Sequence, residues 1–407
     1  MRIRVSHYNS YLSGGAAKAA LRIFETIPEN FDKIFFTLDE PPTPCYNQIW
    51  NKAPIYRKLQ SYYFYKNQAK INERRPPGFE TFTSPRTPLN TKVDKSANLI
   101  HLHWISNLID YSSFFGSIKN NTPIVWTLHD FNPMTGGCHY PENCTGYHNE
   151  CSDCPQLSVL DKSISLKNFE YKTEAYLNKN LHLVATSQFV FDCLDNSSLF
   201  RSYPRYKIQY GFDVNQFVVL DKENRREKLC LPNDQMIIGF GASEISRKNK
   251  GFSVLIEALN LIDVNYHLVV FGNRMDGLLD SIQEQKYTYL GFLETSEQLN
   301  EAYSVCDLMV FPSYYETFGQ IYSESILSGT YVISTDNGGI RDQMPTEFYE
   351  YLTPPGNPQK LSQSIQAFND NKDFFNGQLG SRQKYLRDNL NVEIQARKYT
   401  ELYLDLV

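Results

Sequence analysis

Nine short apolar runs punctuate the chain, each bounded by turn residues and separated from the next by a stretch long enough for a helix. In the first half they are Ile3–Ser6, Leu99–Trp104, Ile124–Leu128 and Leu181–Thr186. In the second they are Met236–Phe240, His267–Phe271, Tyr287–Gly291, Leu308–Phe311 and Tyr331–Ser334. The runs are continuous rather than alternating, the pattern of parallel strands covered on both faces. Strands that alternate with helical stretches build right-handed βαβ units, so the chain is read as α/β with two doubly wound, Rossmann-like parallel sheets. At 407 residues it is too long for one core. The seam falls near Tyr210-Gly211-Phe212-Asp213, before a polar stretch and a fresh strand at Met236. This predicts domains over 1–208 and 209–385, with a helical tail over 386–407.

Composition narrows the function. A net charge of −5 argues against a general nucleic-acid binder. No apolar run approaches the roughly 20 residues that cross a bilayer, and the N-terminus has no signal-peptide core. The expected location is the cytoplasm. Residues 45–92 differ from the rest, with nine Lys/Arg against two acids and nine aromatics, including Trp50 and Tyr62-Tyr63-Phe64-Tyr65. Two readings stand for this insertion. One is a solvated helical segment whose aromatics pack on its own domain; the other is contact with an anionic lipid surface or a lipid-borne acceptor.

In the second half, Pro312-Ser-Tyr-Tyr-Glu-Thr-Phe-Gly-Gln-Ile-Tyr-Ser-Glu324 follows a strand, and its apolar spacing predicts a helix beginning near Phe318. Backbone N–H groups at such a helix start, here Phe318, Gly319 and Gln320, attract phosphate. Glu316 lies in the connecting loop, where a carboxylate suits sugar hydroxyls better than phosphate. Glu324 falls at the rim of the apolar face, where its two oxygens suit the two hydroxyls of a ribose. Gly241-Ala-Ser-Glu-Ile-Ser-Arg247-Lys248-Asn-Lys250-Gly251 is a second strand-to-helix loop. Its cations suit the charge that grows on a departing diphosphate.

Together the Glu-x7-Glu element, the Lys-Gly loop, Asp336-Asn-Gly-Gly-Ile340, Ile208–Phe217 and Ala302–Pro312 resemble the nucleotide-sugar domain of retaining group 1 (family 4) glycosyltransferases. The resemblance covers the second half of the chain. It implies a GT-B-like fold, in which two sheets face a cleft and a C-terminal helix crosses back to the first domain. It also implies that Glu316 meets the donor sugar, Glu324 the ribose, Phe318–Gln320 the sugar and phosphates, and Lys250 the diphosphate. Many members carry an Arg directly after the Gly that ends the preceding strand; here that residue is Ala242, and Arg247 or Lys248 is the substitute cation.

The first half carries the acceptor side. Gly14-Gly15 follows the first strand and opens a small-residue helix; it reads as a tight turn or as a phosphate-facing loop. Thr127-Leu-His129-Asp130 ends a strand at its carboxyl edge, where doubly wound sheets hold ligands. The stretch Trp126–Tyr140 is similar to a subgroup associated with colanic acid, capsule and O-antigen assembly. That similarity implies His129 beside the transferred sugar and Asp130 orienting it or touching the acceptor, with Glu316 completing the catalytic group. Neither His129 nor Asp130 is read as a nucleophile.

Cys138, Cys144, Cys151 and Cys154 put four thiols within 17 residues. A closed tetrahedral zinc site fits them, with free or redox-labile thiols and an iron–sulfur cluster as alternatives. No Asp-x-Asp element follows a strand to hold magnesium, so no catalytic metal or other cofactor is expected. The predicted activity is metal-independent hexosyl transfer from a nucleoside-diphosphate sugar to a lipid-linked saccharide. The alternative is a nucleotide-sugar epimerase of the same two-domain architecture.

Overall fold

The computed structural model describes residues 2–40, 46–48, 55–79, 81–89, 91–273, 277–279, 282 and 286–407. Cys45, residues 49–54 (with Trp50 and Lys52), Glu80 and Asn90 of the basic, aromatic segment therefore lie outside the described residues.

Seven parallel strands form the first sheet: β1 (Arg4–Tyr8), β2 (Asp32–Thr37), β3 (Tyr46–Gln48), β4 (Leu99–Leu102), β5 (Ile124–Leu128), β6 (Leu181–Ala185) and β7 (Arg205–Lys207). Their order is β3-β2-β1-β4-β5-β6-β7. β4, β5 and β6 are buried along their whole length. Along β5, Ile124, Trp126 and Leu128 pack with Tyr111, Phe115 and Tyr176, while Val125 faces a second core with Val5, Leu99, Val184, Tyr399 and Tyr403. A strand with a core on each face must be apolar at successive positions, which is why these segments show as unbroken runs. β2, β3 and β7 correspond to none of the apolar runs. β7 is an edge strand whose Arg205-Tyr206-Lys207 is at most half-buried, so it needs no apolar run.

The second sheet comprises β8 (Met236–Glu244), β9 (Tyr266–Asn273), β10 (Tyr287–Tyr289), β11 (Leu308–Phe311) and β12 (Tyr331–Ser334), all parallel, in the order β10-β9-β8-β11-β12. Its core gathers Ile238, Phe240, Leu255, Leu268, Val270, Val310, Ile333 and Ile365.

Contacts divide the chain into two units, Met1–Tyr210 with Gln395–Val407, and Gly211–Ile394. The tail is two helices rather than one, Leu379–Asn389 and Val392–Leu406. The first is anchored in the second unit by Arg382, which is 2% exposed and donates to the Tyr322 and Tyr331 hydroxyls at 3.2 and 2.8 Å. The chain changes unit only at Gln395, inside the last helix. From there Tyr399 meets the Thr127 hydroxyl at 2.7 Å and Tyr403 meets His101 Nδ1 at 2.5 Å.

Candidate functional site

In an open parallel sheet, ligands collect outside the carboxyl ends of the strands where the winding direction reverses. In the second sheet that reversal lies between β8 and β11. The loop after β8 carries Lys250 and the loop after β11 carries Glu316. The two meet: Lys250 Nζ donates to Glu316 Oε1 at 2.8 Å, with the side chains 17% and 9% exposed. Two backbone features force the meeting. Tyr314 N–H donates to Asn249 O at 2.7 Å, and Gly251 holds φ at +73° so close to Pro312 that a Cβ would stand 2.1 Å from its carbonyl oxygen. Only glycine fits there.

Beside the pair, the helix Gln320–Leu327 begins at Gly319 with no side chain capping it. The helix starts two residues later than the spacing predicts, because Gly319 takes a left-handed conformation (φ +89°) that a helix interior does not accept. Phe318 is buried, and its carbonyl accepts from Gln343 Nε2 at 2.5 Å. Asn249, Ser313 and Asn337 add polar side-chain atoms that are buried and unpartnered. Buried orphans of this kind are rare in folded proteins and concentrate where polar ligands bind. Sequence spacing missed all three because their burial arises from the packing of the two loops.

Glu324 is not at an open rim. It is 7% exposed, and Oε2 accepts from the Tyr303 hydroxyl at 2.7 Å. Arg247 stands apart from Glu316: it pairs with Glu244 at a 40% exposed position. Ala242 is buried at the end of β8.

In the first sheet the winding reverses between β1 and β4. Gly14 follows β1, with φ +93° and no atom within 4 Å of where its Cβ would be, so backbone angle rather than crowding calls for glycine. It begins the helix Gly15–Thr26, which no side chain caps. His129 and Asp130 follow β5 directly and are both buried. His129 Nδ1 meets the Tyr210 hydroxyl at 2.5 Å and its Nε2 meets His103 Nδ1 at 3.2 Å; His103 Nε2 in turn meets His7 Nδ1 at 3.1 Å. This is a buried imidazole chain ending on a phenol. Burial pushes His129 down to about 4 despite the nearby Asp130, so it is neutral at pH 7.

The partner of Asp130 is His139, which spacing did not single out. Asp130 Oδ2 accepts from Trp104 Nε1 at 2.5 Å and meets His139 Nδ1 at 2.6 Å, while Oδ1 accepts from Asn132 N–H at 2.9 Å. Burial works to raise its pKa, but His139 and these hydrogen bonds outweigh it and hold the carboxylate below the ordinary range. The four cysteines line one small cavity and form no disulfide.

Two doubly wound parallel sheets, each with polar side chains gathered at its point of reversal, define a GT-B-like α/β protein. Residues 221–385, within the second unit, match the family profile "Glycosyl transferases group 1". WcaC of Escherichia coli (strain K12), which carries the name of a colanic acid biosynthesis glycosyl transferase, is 24% identical over 255 residues. That match covers 60% of this chain and 60% of WcaC, so the chain spans less than two thirds of this curated relative. Among solved structures, the sucrose-phosphate synthase of Thermosynechococcus elongatus has a TM-score of 0.71 at 17% identity, covering 100% of this chain and 99% of that one. HepE of Anabaena in complex with UDP-glucose has a TM-score of 0.68 at 16% identity, covering 99% and 100%. At such identities the likeness is one of fold.

Proposed function

We propose that this chain transfers a hexose from a nucleoside-diphosphate sugar to a saccharide acceptor, with retention at the anomeric carbon, during assembly of a surface polysaccharide. The observation that carries the reading is the Lys250–Glu316 pair beside the uncapped helix start at Gly319. Lys250 and the helix N-terminus meet the negative charge that develops on the leaving diphosphate. These groups supply that charge stabilisation without a catalytic metal. Glu316 accepts hydrogen bonds from hydroxyls of the transferred sugar, and the free oxygen of Glu324 accepts from the ribose.

The acceptor oxygen bonds to the anomeric carbon as the bond from that carbon to the diphosphate breaks, and the acceptor proton passes to the leaving phosphate oxygen. His129, held neutral, and Asp130 serve the sugar and acceptor side. The name of WcaC supports a polysaccharide pathway, and UDP-glucose bound by HepE supports a nucleotide-sugar donor. A lipid-linked acceptor suits the helix Ile55–Glu73, which exposes Leu59, Tyr62 and Tyr63 near Lys66 and Lys70. We read this helix as a peripheral contact with the cytoplasmic face of an anionic membrane. Among the described residues no helix is long and apolar enough to cross one.

The test is a panel of UDP-, GDP- and dTDP-sugars, each incubated with and without a lipid-linked saccharide. Acceptor-dependent release of nucleoside diphosphate is the expected result. Acceptor-independent interconversion of the sugars would instead establish the epimerase, which the family profile and the WcaC likeness do not favour.

A further inference from the structure

The segment Cys138–Cys154 is a loop with little regular structure, yet its four thiols converge. Cys138 and Cys154 are buried, Cys144 and Cys151 half-buried, and all four line one cavity of about 10 Å³ with Thr135, Gly136 and Tyr147. That is room for one water-sized sphere. The Cys144 and Cys151 sulfurs stand 3.4 and 3.7 Å from where a side chain at Gly146 would begin, so both close over the same glycine. Cys151 holds φ at +54°, a conformation uncommon for a non-glycine residue.

Two of the sulfurs have a backbone hydrogen-bond donor aimed at them. Gly136 N–H donates to Cys151 Sγ at 3.3 Å and Gly146 N–H to Cys144 Sγ at 3.4 Å. The Thr135 hydroxyl donates to the Cys138 backbone carbonyl at 2.7 Å and so ties the first cysteine to the same cavity wall. Sulfur in a neutral thiol is a weak acceptor, so backbone N–H groups aimed at the Cys144 and Cys151 sulfurs suit metal-bound sulfur.

The geometry points to a structural zinc ion held by Cys138, Cys144, Cys151 and Cys154. All four positions are taken by sulfur, which leaves no site for catalysis. The donors form the outer shell that orients thiolate ligands. As they stand, the four sulfurs are not a set whose members all lie within 4.8 Å of one another; a zinc–sulfur bond of roughly 2.3 Å requires them to draw inward over the cavity. The set that does meet that spacing among the described residues is His7, His101 and His103. Hydrogen bonds to His103, Tyr403, Thr127, His7 and His129 already engage all of its ring nitrogens except His7 Nε2. Cysteine is therefore the better claimant.

The ion has a positional role. Cys138 precedes His139, which bonds Asp130; Gly137 O accepts from Thr83 N–H at 2.9 Å and His139 O from Phe131 N–H at 3.0 Å. Closing the loop on zinc fixes His139 against Asp130.

The experiment is elemental analysis of the full chain, purified under reducing conditions without chelator. One zinc per chain is expected, with at least a tenfold loss in Cys144→Ser and retention in Cys144→His, since zinc accepts three sulfurs and one imidazole. If the serine variant fails to fold, the unaltered protein answers alone: after chelation, cobalt(II) should produce the near-ultraviolet thiolate-to-cobalt band, and zinc should abolish it. Less than about a tenth of a zinc per chain together with no cobalt band would overturn the proposal, as would iron in place of zinc. None of these readouts depends on glycosyl transfer, so they succeed or fail apart from the donor-site reading.

Discussion

Lys250 and Glu316 are both mostly withdrawn from water and are paired with each other at 2.8 Å. Removing one partner of such a pair costs about 3 kcal/mol, because the other is left buried and uncompensated. Lys250→Ala should therefore lose stability as well as turnover, whereas Glu316→Gln keeps the shape and an acceptor oxygen. Both should lower kcat/KM by about 10²-fold or more, as loss of a preorganised charge does. Near-normal rates for Glu316→Gln at an unchanged melting temperature would remove it from the site. The imidazoles give a second prediction at this scale. Burial holds His7 down to about 3, His129 to about 4, and His101 and His103 well below their ordinary value near 6.5. The unfolded chain thus binds more protons than the folded one as the pH falls below about 6.5, and stability drops until the folded values are reached. Melting temperature should be level from pH 8 to 7 and fall steeply from 6.5 towards 4. A flat profile across that window would mean that these rings are solvated.

Among the elements, the helix Ile55–Glu73 shows how far composition reaches. Its basic and aromatic content singles it out, but composition leaves open whether the rings pack inward or face out. Tyr65 turns inward, its hydroxyl donating to Asn107 O at 3.2 Å, while Leu59, Tyr62 and Tyr63 are 57%, 60% and 64% exposed. The helix is divided rather than wholly one or the other. Co-sedimentation with vesicles rich in anionic lipid should capture the chain, fall severalfold in Tyr62→Ala/Tyr63→Ala, and weaken with salt. Equal binding to neutral vesicles, or no effect of the double substitution, would end the membrane reading. The strands tell a cleaner story. Ile124–Leu128, Leu308–Phe311 and Tyr331–Ser334 lie where their apolar runs indicate, because a core on each face leaves no other option. β7 escapes notice because it lies at an edge.

For the molecule as a whole, the last helix is the telling element. Helical periodicity marks the tail but not the break at Leu390–Asn391. There Phe212 N–H donates to Leu390 O at 2.7 Å and Val392 N–H to Phe212 O at 2.9 Å, contacts between residues far apart in sequence. Beyond the break, Tyr403 reaches the buried His101, so Tyr403→Phe should destabilise the first unit by about 1–3 kcal/mol by orphaning His101 Nδ1. An unchanged denaturation midpoint would show that the hydroxyl contributes nothing. What the sequence determined by itself was the pair of parallel sheets, and the strand-to-helix loops that carry Lys250, Glu316, Gly14 and His129. Continuous apolar runs and loop chemistry are local properties that survive without knowledge of partners. Only the tertiary structure decided that Lys250 meets Glu316, that Glu324 turns inward to Tyr303, and that Asp130 pairs with His139. It alone showed that His129 ends a chain of imidazoles on Tyr210. Those choices follow from strand order and long-range packing, which bring together side chains that no spacing along the chain relates.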